Sequence, residues 1–295
     1  GVEKMGRNAI VGQSGGPTAV INSSLVGVFQ AAKSRGAQHV YGMRYGVKGL
    51  LEEQVVDLSD TLRDNLDIEI LKRTPASYLG SCRYKLPVPA EDPALYEKLF
   101  GILKKLDVGY FFYIGGNDSM DTISKLSDYA CMTGSDIKFM GVPKTIDNDL
   151  MNTDHTPGYG SAAKYIGAIM KEITRDSLVY GTRNVTIVEV MGRNAVSYTH
   201  LASLAKGEDC EGVDMICLPE VAFDIEHFIE RLDVLQRAKA GVVIAVSEGV
   251  RVHDGRYVCE LTEELGPVDA FGHKTLTGAA RFLANKAVRE LGCKA

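Results

Sequence analysis

YFFYIGGNDSMDTISKLSDYA, residues 110–130, places an apolar run, a glycine turn and a helical pattern in direct succession. A short apolar run bounded by a turn is typical of a buried strand. Further apolar runs precede turns elsewhere in the chain: NAIVG (8–12), IKFMGV (137–142), NVTIVEV (184–190), MICL (215–218) and GVVIAV (241–246). Short runs rich in Val and Ile suit parallel strands that are buried on both faces. Alternating strands and helices predict an α/β fold with two doubly wound, Rossmann-like domains.

Glycine and polar residues follow each of these runs. The turns are SGG (14–16), GGND (115–118), PKTIDND (143–149), MGR (191–193), PE (219–220) and SEG (247–249). In open α/β sheets, ligands bind beyond the carboxyl ends of the strands. We therefore expect the six turns to line one crevice, with the active site in the cleft between a domain at residues 1–158 and a second at residues 159–295. The alternative is that glycine and polar residues merely end the strands.

Composition and charge narrow the classes of function. The 295 residues are 45% hydrophobic and carry a formal net charge of −5, which indicates a folded chain with a sizeable core. No block of Lys and Arg suggests a nucleic-acid partner, and no apolar run approaches the ~20 residues of a membrane span. The six cysteines lack CxxC spacing, so we interpret them as the reduced thiols of a cytoplasmic protein.

Two glycine turns have the composition of a phosphate site. The SGG turn, residues 14–16, is expected at a helix N-terminus, where backbone N–H groups and the helix dipole favour an anion. It fits a tight turn equally well, and it lacks the G-K-[ST] of a Walker A loop. In GGNDS, residues 115–119, Asn117 and Asp118 fit either a helix cap or oxygen ligands of a magnesium–phosphate site.

The turn PKTIDND, residues 143–149, offers more chemistry than a helix cap requires. A cap needs one polar side chain, whereas this turn holds a lysine, a threonine, an asparagine and two aspartates. A carboxylate can take a proton from a hydroxyl, and a neighbouring lysine can hold an anionic group. Phosphoryl transfer to an alcohol needs both, because its catalysis depends on positioning and charge stabilisation.

Three charged residues in other turns fit the recognition of phosphate and sugar. Arg193 can clamp a phosphate through two parallel hydrogen bonds, or it can form a surface salt bridge. Glu220 can accept hydrogen bonds from sugar hydroxyls. Arg83 ends the glycine-containing loop GSCR, residues 80–83. These three side chains are therefore candidates for contacts with phosphate and sugar groups.

Taken together, the motifs resemble the phosphofructokinase family. The matching elements are SGG with Asn22 eight residues after Ser14, GSCR, GGNDS, PKTIDND, VEVMGR, LPE and SEG, in the family's order and spacing. The resemblance implies phosphoryl transfer to the 1-hydroxyl of fructose 6-phosphate, giving fructose 1,6-bisphosphate in glycolysis, with Mg²⁺ as cofactor. Lys144 and Asp118 resemble the pyrophosphate-dependent branch, because ATP-dependent members typically have glycine at both positions.

The resemblance also implies a role for each matched residue. Asp147 would be the base for the sugar hydroxyl, Lys144 would stabilise the transferring phosphoryl group, and Asp149 would support the metal or orient the base. Asn117 and Asp118 would hold Mg²⁺, and Asp118 would also select the donor. The residues implied for the sugar phosphate, mostly in residues 159–295, are Thr145, Ile146, Met191, Gly192, Arg193 and Glu220. Those implied for the donor, in residues 1–158, are Gly15, Gly16 and Arg83.

Two alternatives stay open: an ATP-dependent 6-phosphofructokinase, and a non-catalytic paralogue that binds a sugar phosphate. Asn117 stands where the family usually has a metal-binding aspartate, and Asn184 stands where a basic residue is common. The family normally completes its sugar-phosphate site with basic residues from a later stretch, partly from a neighbouring subunit. We therefore expect the domain at 159–295 to be truncated, and the active form to be a homodimer or homotetramer.

Overall fold

A computed structural model describes residues 6–179, 181–191, 197–261 and 278–295. The chain divides into two compact units. Unit 1 comprises Gly1–Ile146 and His155–Ser161, and unit 2 comprises Asp147–Asp154 and Ala162–Ala295. A single boundary between residues 158 and 159 was expected, but the chain changes unit three times, after residues 146, 154 and 161. The donor and sugar roles assigned to the two halves stay predictions.

Unit 1 contains a twisted sheet that is parallel except at one edge. Its five described strands lie in the order β3-β2-β1-β4-β5, and only the β2–β3 pair is antiparallel. The strands are β1 Asn8–Gln13, β2 Val40–Met43, β3 Val55–Asp57, β4 Val108–Gly115 and β5 Lys138–Pro143. Because β2 and β4 flank β1 on opposite sides, the strand order reverses between β1 and β4. Ligands in open α/β sheets bind at such a reversal, beyond the carboxyl ends of the strands.

Helices cover both faces of this sheet, as in a doubly wound fold. Along β1, Ala9 and Val11 pack into one core cluster with Leu25 of the first helix, while Ile10 packs into another with Leu99. Alternate residues of a strand point to opposite faces, so both faces are buried. The helices of unit 1 are α1 Ile21–Ser34, α2 Gly46–Leu51, α3 Leu58–Thr61, α4 Asn65–Arg73, α5 Pro93–Lys105 and α6 Asn117–Thr133.

Unit 2 has a second parallel sheet, whose three described strands lie in the order β6-β8-β7. These strands are β6 Asn184–Val190, β7 Met215–Cys217 and β8 Gly241–Ser247. Every residue of the central strand β8 is buried. The helices are α7 Tyr159–Ser177, which begins in unit 1, α8 Ser197–His200, α9 Ile225–Ala238 and α10 Ala279–Leu291. Short 3₁₀ helices span Leu201–Ala205 and Val258–Leu261.

The predicted α/β class is confirmed, and all six predicted apolar runs form strands. One predicted helix begins later than the sequence pattern indicated. The helix expected directly after the SGG turn begins only at Ile21. Within the described residues, none of the helices combines the length and the apolar character needed to cross a membrane.

Candidate active site

The SGG turn is held in place by three other segments of unit 1. The hydroxyls of Ser14 and Ser119 form a buried hydrogen bond, which joins the turn to the start of α6. The Ser81 hydroxyl donates to the Gly15 carbonyl at 2.6 Å. The Lys144 ammonium donates to the Gly16 carbonyl. Each residue of the turn is thus fixed by a different element.

The turn does not lie at a helix N-terminus, so that part of the sequence interpretation was wrong. Four residues separate Gly16 from Ile21, where α1 begins. Gly15 has φ +78°, a conformation that glycine adopts without the steric penalty of a side chain. The anion-binding interpretation of residues 14–16 therefore depends on the N–H groups of the turn itself rather than on those of the first turn of α1.

The second glycine turn brings Asn117 and Asp118 to the surface at the start of α6. Gly116 is the N-cap, and no side chain among the described residues caps this helix end. The helix-cap interpretation of Asn117 and Asp118 is therefore wrong, because both lie inside the helix and both are exposed. A Cβ on Gly115 would lie 1.9 Å from the Ser119 hydroxyl oxygen, so a side chain there would displace Ser119. The exposed carboxylate and amide remain available to a ligand.

Lys144 follows β5 and reaches the SGG turn. Its backbone N–H donates to the Gly115 carbonyl at 2.9 Å, which continues the pairing of β4 with β5. Its side chain is directed at the first glycine turn, and a Cβ on Gly15 would lie 3.6 Å from the ammonium nitrogen. The residue is only 5% exposed. Lys144 therefore places its ammonium group against the glycine turn, and its predicted role toward the donor stays a prediction.

Thr145 is clamped by the segment at residues 156–158. Its N–H donates to the Pro157 carbonyl at 3.1 Å, and its carbonyl accepts from the Thr156 hydroxyl at 2.9 Å. Gly158 has φ +116° and forms a parallel bridge with Thr145. A Cβ on Gly158 would lie 3.0 Å from the Thr145 carbonyl oxygen. The clamp fixes the backbone immediately before Ile146 and Asp147.

Asp147 and Asp149 belong to unit 2, and both side chains are exposed. Asn148 between them has φ +55°, and its side-chain amide donates to the Asp154 carbonyl at 3.2 Å. Asparagine tolerates this left-handed conformation better than most residues do. The bond closes the segment 147–154 into a compact turn, from which the two carboxylates project.

The loop that carries Arg83 is anchored by a buried amide pair that sequence analysis did not assign. The Gln13 amide nitrogen donates to the Asn22 side-chain oxygen at 3.0 Å, and the Gln13 side-chain oxygen accepts from the Leu79 N–H at 2.9 Å. Asn22 also accepts from the Tyr78 N–H at 3.0 Å. The two side-chain amides bind residues 78–79 to β1 and α1, a few residues before Arg83 in the chain. The position of Asn22, eight residues after Ser14, was the feature of the sequence that could have indicated this pair.

The loop that carries Arg83 also contacts Tyr113 of β4 through Cys82. Their oxygen and sulfur atoms lie 3.6 Å apart, and the phenol accepts from the Val47 N–H at 3.2 Å. Burial raises the pKa of Tyr113, and the neighbouring Cys82 raises it further. The phenol therefore stays protonated at neutral pH and acts as a structural hydrogen-bonding group. Arg83 itself is exposed.

In unit 2, the amino acids predicted to bind the sugar phosphate follow the ends of the parallel strands. Met191 comes directly after β6 and is 63% exposed, and Glu220 lies exposed in the turn after β7. The Glu248 N–H donates to the Val190 carbonyl at 3.0 Å, which joins the ends of β8 and β6. Gly192 and Arg193 lie outside the described residues. Met191 and Glu220 thus belong to the carboxyl edge of this sheet, where ligands are expected.

The described part of the chain contains no cluster of three or more His, Cys, Asp or Glu residues arranged to hold a metal ion. Mg²⁺ does not require such a cluster, because it keeps several waters and binds through one or two carboxylates and the phosphates of its substrate. The exposed oxygens of Asn117 and Asp118, at the start of α6 next to the SGG turn, are ligands of the type that Mg²⁺ prefers. The residues present fit a magnesium–phosphate site.

Comparison with known proteins identifies the family. Residues 8–295 match the family described as phosphofructokinase. The chain belongs to the phosphofructokinase family. It is 41% identical over 293 residues to a pyrophosphate--fructose 6-phosphate 1-phosphotransferase of Methylococcus capsulatus, covering 98% of this chain and 68% of the relative. A relative of the same name from Xanthomonas campestris is 40% identical over 289 residues, with 97% and 68% covered.

A solved phosphofructokinase structure has the same fold. The pyrophosphate-dependent phosphofructokinase from Nitrosospira multiformis superposes with a TM-score of 0.81 at 35% sequence identity. The alignment covers 98% of this chain and 67% of the other. The chain thus spans about two thirds of the length of the phosphofructokinases that it matches. The sequence-based assignment to this family is confirmed.

Proposed function

We propose that this protein is a pyrophosphate-dependent 6-phosphofructo-1-kinase. It transfers a phosphoryl group from pyrophosphate to the 1-hydroxyl of fructose 6-phosphate, reversibly and with Mg²⁺. The observation that carries the proposal is the Lys144 ammonium, which is directed at the carbonyl of Gly16 in the donor turn. The names of the relatives with about 40% identity support the same donor.

On the donor side, the chain supplies cations and N–H groups for an anion. Lys144 and Arg83 neutralise the charge of pyrophosphate, while the amides of Gly15 and Gly16 contact its oxygens. Asn117 and Asp118 would hold Mg²⁺, which would supply positive charge to neutralise the phosphates of the donor. Arginine suits this role because its planar group can bind two oxygens at once.

On the acceptor side, Asp147 removes the proton of the sugar hydroxyl, and Asp149 orients Asp147 or supports the metal. The clamp on Thr145 keeps the backbone before Asp147 in one conformation. A base acts only when it lies within hydrogen-bonding reach of the proton that it takes, so this rigidity contributes to catalysis. The residues proposed to bind the sugar phosphate are Thr145, Ile146, Met191, Gly192, Arg193 and Glu220.

Selection against ATP depends on Asp118 and Lys144. A nucleotide brings an α-phosphate and a ribose to the donor site, and the exposed Asp118 carboxylate repels the first and competes with the second for space. Pyrophosphate is shorter and avoids this region. It lacks the contacts of an adenosine group, so it needs a cation close to the transferring phosphoryl group, and Lys144 supplies one.

The test compares the two donors on the wild type and on the double variant Asp118→Gly with Lys144→Gly. We expect the wild type to use pyrophosphate and essentially no ATP in a coupled assay of fructose 1,6-bisphosphate formation. The double variant should lose most of its pyrophosphate activity and gain ATP binding or turnover. The matched control is Asp128→Gly with Lys138→Gly, which makes the same changes at exposed positions of α6 and β5.

Three outcomes of this assay contradict the proposal in different ways. A wild type that prefers ATP identifies an ATP-dependent phosphofructokinase. A full-length wild type that turns over neither donor but binds fructose 6-phosphate identifies a non-catalytic sugar-phosphate-binding protein. A control variant that shifts donor preference as much as the double variant removes Asp118 and Lys144 from donor selection.

A further inference from the structure

The carbonyl groups of the two glycines in the SGG turn each accept a hydrogen bond from another loop. The Gly15 carbonyl accepts from Ser81, and the Gly16 carbonyl accepts from Lys144. The peptide bond between Gly15 and Gly16 is trans, so its N–H points away from its carbonyl. Whatever holds the Gly15 carbonyl therefore sets the direction of the Gly16 N–H.

A peptide bond between two glycines is easily turned over. Neither residue has a side chain that clashes when the peptide plane rotates, because glycine populates both signs of φ. The hydrogen bonding of a helix does not hold this peptide, since α1 begins only at Ile21. A flipped peptide would present its carbonyl oxygen to an anionic donor in place of its N–H, and attraction would become repulsion.

Ser81 is well placed to prevent this flip. Its hydroxyl donates to the Gly15 carbonyl at 2.6 Å. Its own loop is anchored two residues earlier, where the Leu79 N–H donates to the buried Gln13 side chain and the Leu79 carbonyl accepts from the Tyr45 N–H at 2.8 Å. The backbone that carries the Ser81 hydroxyl is therefore held in place by these two hydrogen bonds of Leu79.

We propose that Ser81 is a positioning residue for the phosphoryl donor: its hydroxyl holds the Gly15–Gly16 peptide with the N–H of Gly16 toward the donor and the Gly15 carbonyl away from it. Ser81 acts through the turn and does not touch the donor. The inference rests on the proposed function only in requiring that the donor is a phosphate compound. It adds a determinant of donor affinity that is separate from the charges of Lys144 and Arg83.

The experiment compares three variants of the full-length protein. Ser81→Ala removes the hydroxyl, Ser81→Thr retains one, and Ser77→Ala is the matched control. Ser77 lies four residues earlier in the same loop, and its buried hydroxyl has no hydrogen-bond partner in the described part of the chain. The readouts are kcat, the KM values of both substrates, and the Kd of imidodiphosphate with Mg²⁺, a pyrophosphate analogue that is not turned over.

For Ser81→Ala we expect the KM of pyrophosphate and the Kd of imidodiphosphate to rise about tenfold, as for the loss of one well-made hydrogen bond. The KM of fructose 6-phosphate should stay within about twofold, because the change is confined to the donor turn. Ser81→Thr should recover most of the affinity, and Ser77→Ala should match the wild type. In spectra of protein labelled with ¹⁵N-glycine, the Gly16 amide should respond to imidodiphosphate in the wild type and much less in Ser81→Ala.

Two results would overturn this inference. One is wild-type affinity for imidodiphosphate in Ser81→Ala, and the other is an equal loss in Ser77→Ala, which would indicate general loosening of the loop. Failure of the proposed donor is distinguishable from both. If the wild type prefers ATP, the donor assignment fails, while the same comparison made with a non-hydrolysable ATP analogue still decides the role of Ser81.

Discussion

Lys144 illustrates how single side chains define the donor side of this site. Burying an ammonium group is costly unless it is hydrogen-bonded, and here the Gly16 carbonyl accepts from it. The same bond ties the turn after β5 to the turn after β1. The charge of Lys144 and the backbone conformation of the SGG turn are therefore coupled. Substitutions of individual residues should show which side chains bind substrate and which take part in the chemical step.

Asp147→Asn should lower kcat by about 10²–10⁴-fold, which is the usual contribution of a general base. The KM of fructose 6-phosphate should change little, because the amide is nearly isosteric with the carboxylate. Steady-state kinetics on the full-length protein measure both parameters. The matched control is Asp154→Asn, an exposed aspartate in the same segment whose backbone carbonyl accepts from Asn148. Near-normal kcat in Asp147→Asn would remove Asp147 from the role of base.

Removal of Mg²⁺ should abolish activity, and its return should restore it. The expectation follows from the exposed oxygens of Asn117 and Asp118 and from the need to neutralise phosphate charge. EDTA followed by excess Mg²⁺, assayed with pyrophosphate, makes the measurement. A neutral Asn117 is compatible with this result, because Mg²⁺ uses few protein ligands. Full activity in the presence of the chelator would contradict the magnesium site.

At the scale of elements, two sets of hydrogen bonds fix segments that belong to the proposed site or lead to it. The segment 156–158 clamps Thr145 on both sides of its backbone. In unit 2, the Glu189 carboxylate accepts hydrogen bonds from Gly278 and Ala280 at the start of α10, at 2.8 to 3.2 Å. Glu189 lies in the strand that leads to Met191, so the same strand end serves both stability and the predicted sugar site.

Gly158→Ala should destabilise the protein by more than about 1 kcal/mol and lower kcat at the same time. The added Cβ would lie 3.0 Å from the Thr145 carbonyl oxygen in a backbone conformation with φ +116°. Urea denaturation and steady-state kinetics measure the two effects. Gly160→Ala is the matched control, since a Cβ there meets none of the described atoms within 4 Å. Equal behaviour of the two variants would show that the clamp does not constrain the site.

Glu189→Ala should lower the free energy of unfolding by about 1–2 kcal/mol, because three N–H···O contacts at the start of α10 lose their acceptor. Differential scanning calorimetry measures the resulting decrease in the unfolding temperature Tm. Glu172→Ala, at an exposed position of α7, controls for the loss of one carboxylate. An unchanged Tm in Glu189→Ala would mean that water replaces the Glu189 carboxylate as hydrogen-bond acceptor with no loss of stability.

At the scale of the whole molecule, each unit has its own sheet and its own buried core. The family resemblance of the sequence implied a sugar-phosphate site that is completed partly by residues from a neighbouring subunit. We therefore predict that the active full-length protein is a homodimer or homotetramer, since cyclic dimers and dihedral tetramers dominate among homo-oligomers. Light scattering combined with activity across the elution profile measures this. Activity confined to a monomer peak would contradict the prediction.

The candidate site residues could be named from the sequence because they lie in short segments. The lysine and the two aspartates of residues 143–149, and the asparagine and aspartate of residues 115–119, follow apolar runs whose strand character is a local property. The strands β2 and β3 and the helices α2 to α5 were not predicted, because short or weakly periodic segments lack a clear signal. The cap interpretation of Asn117 failed because the backbone began its helix one residue earlier, at a glycine N-cap.

The sequence by itself determined the α/β class, the position of each candidate turn at a strand end, and the family, since hydrophobic runs and motif spacing are encoded locally. Only the tertiary structure decided which turns meet. Ser81 and Gly15 are 66 residues apart, and Lys144 and Gly16 are 128 apart, yet each pair shares a hydrogen bond. The order of strands in the sheet brings them together, with β1 lying between β2 and β4. That order results from long-range packing of the whole unit, which a local pattern cannot specify.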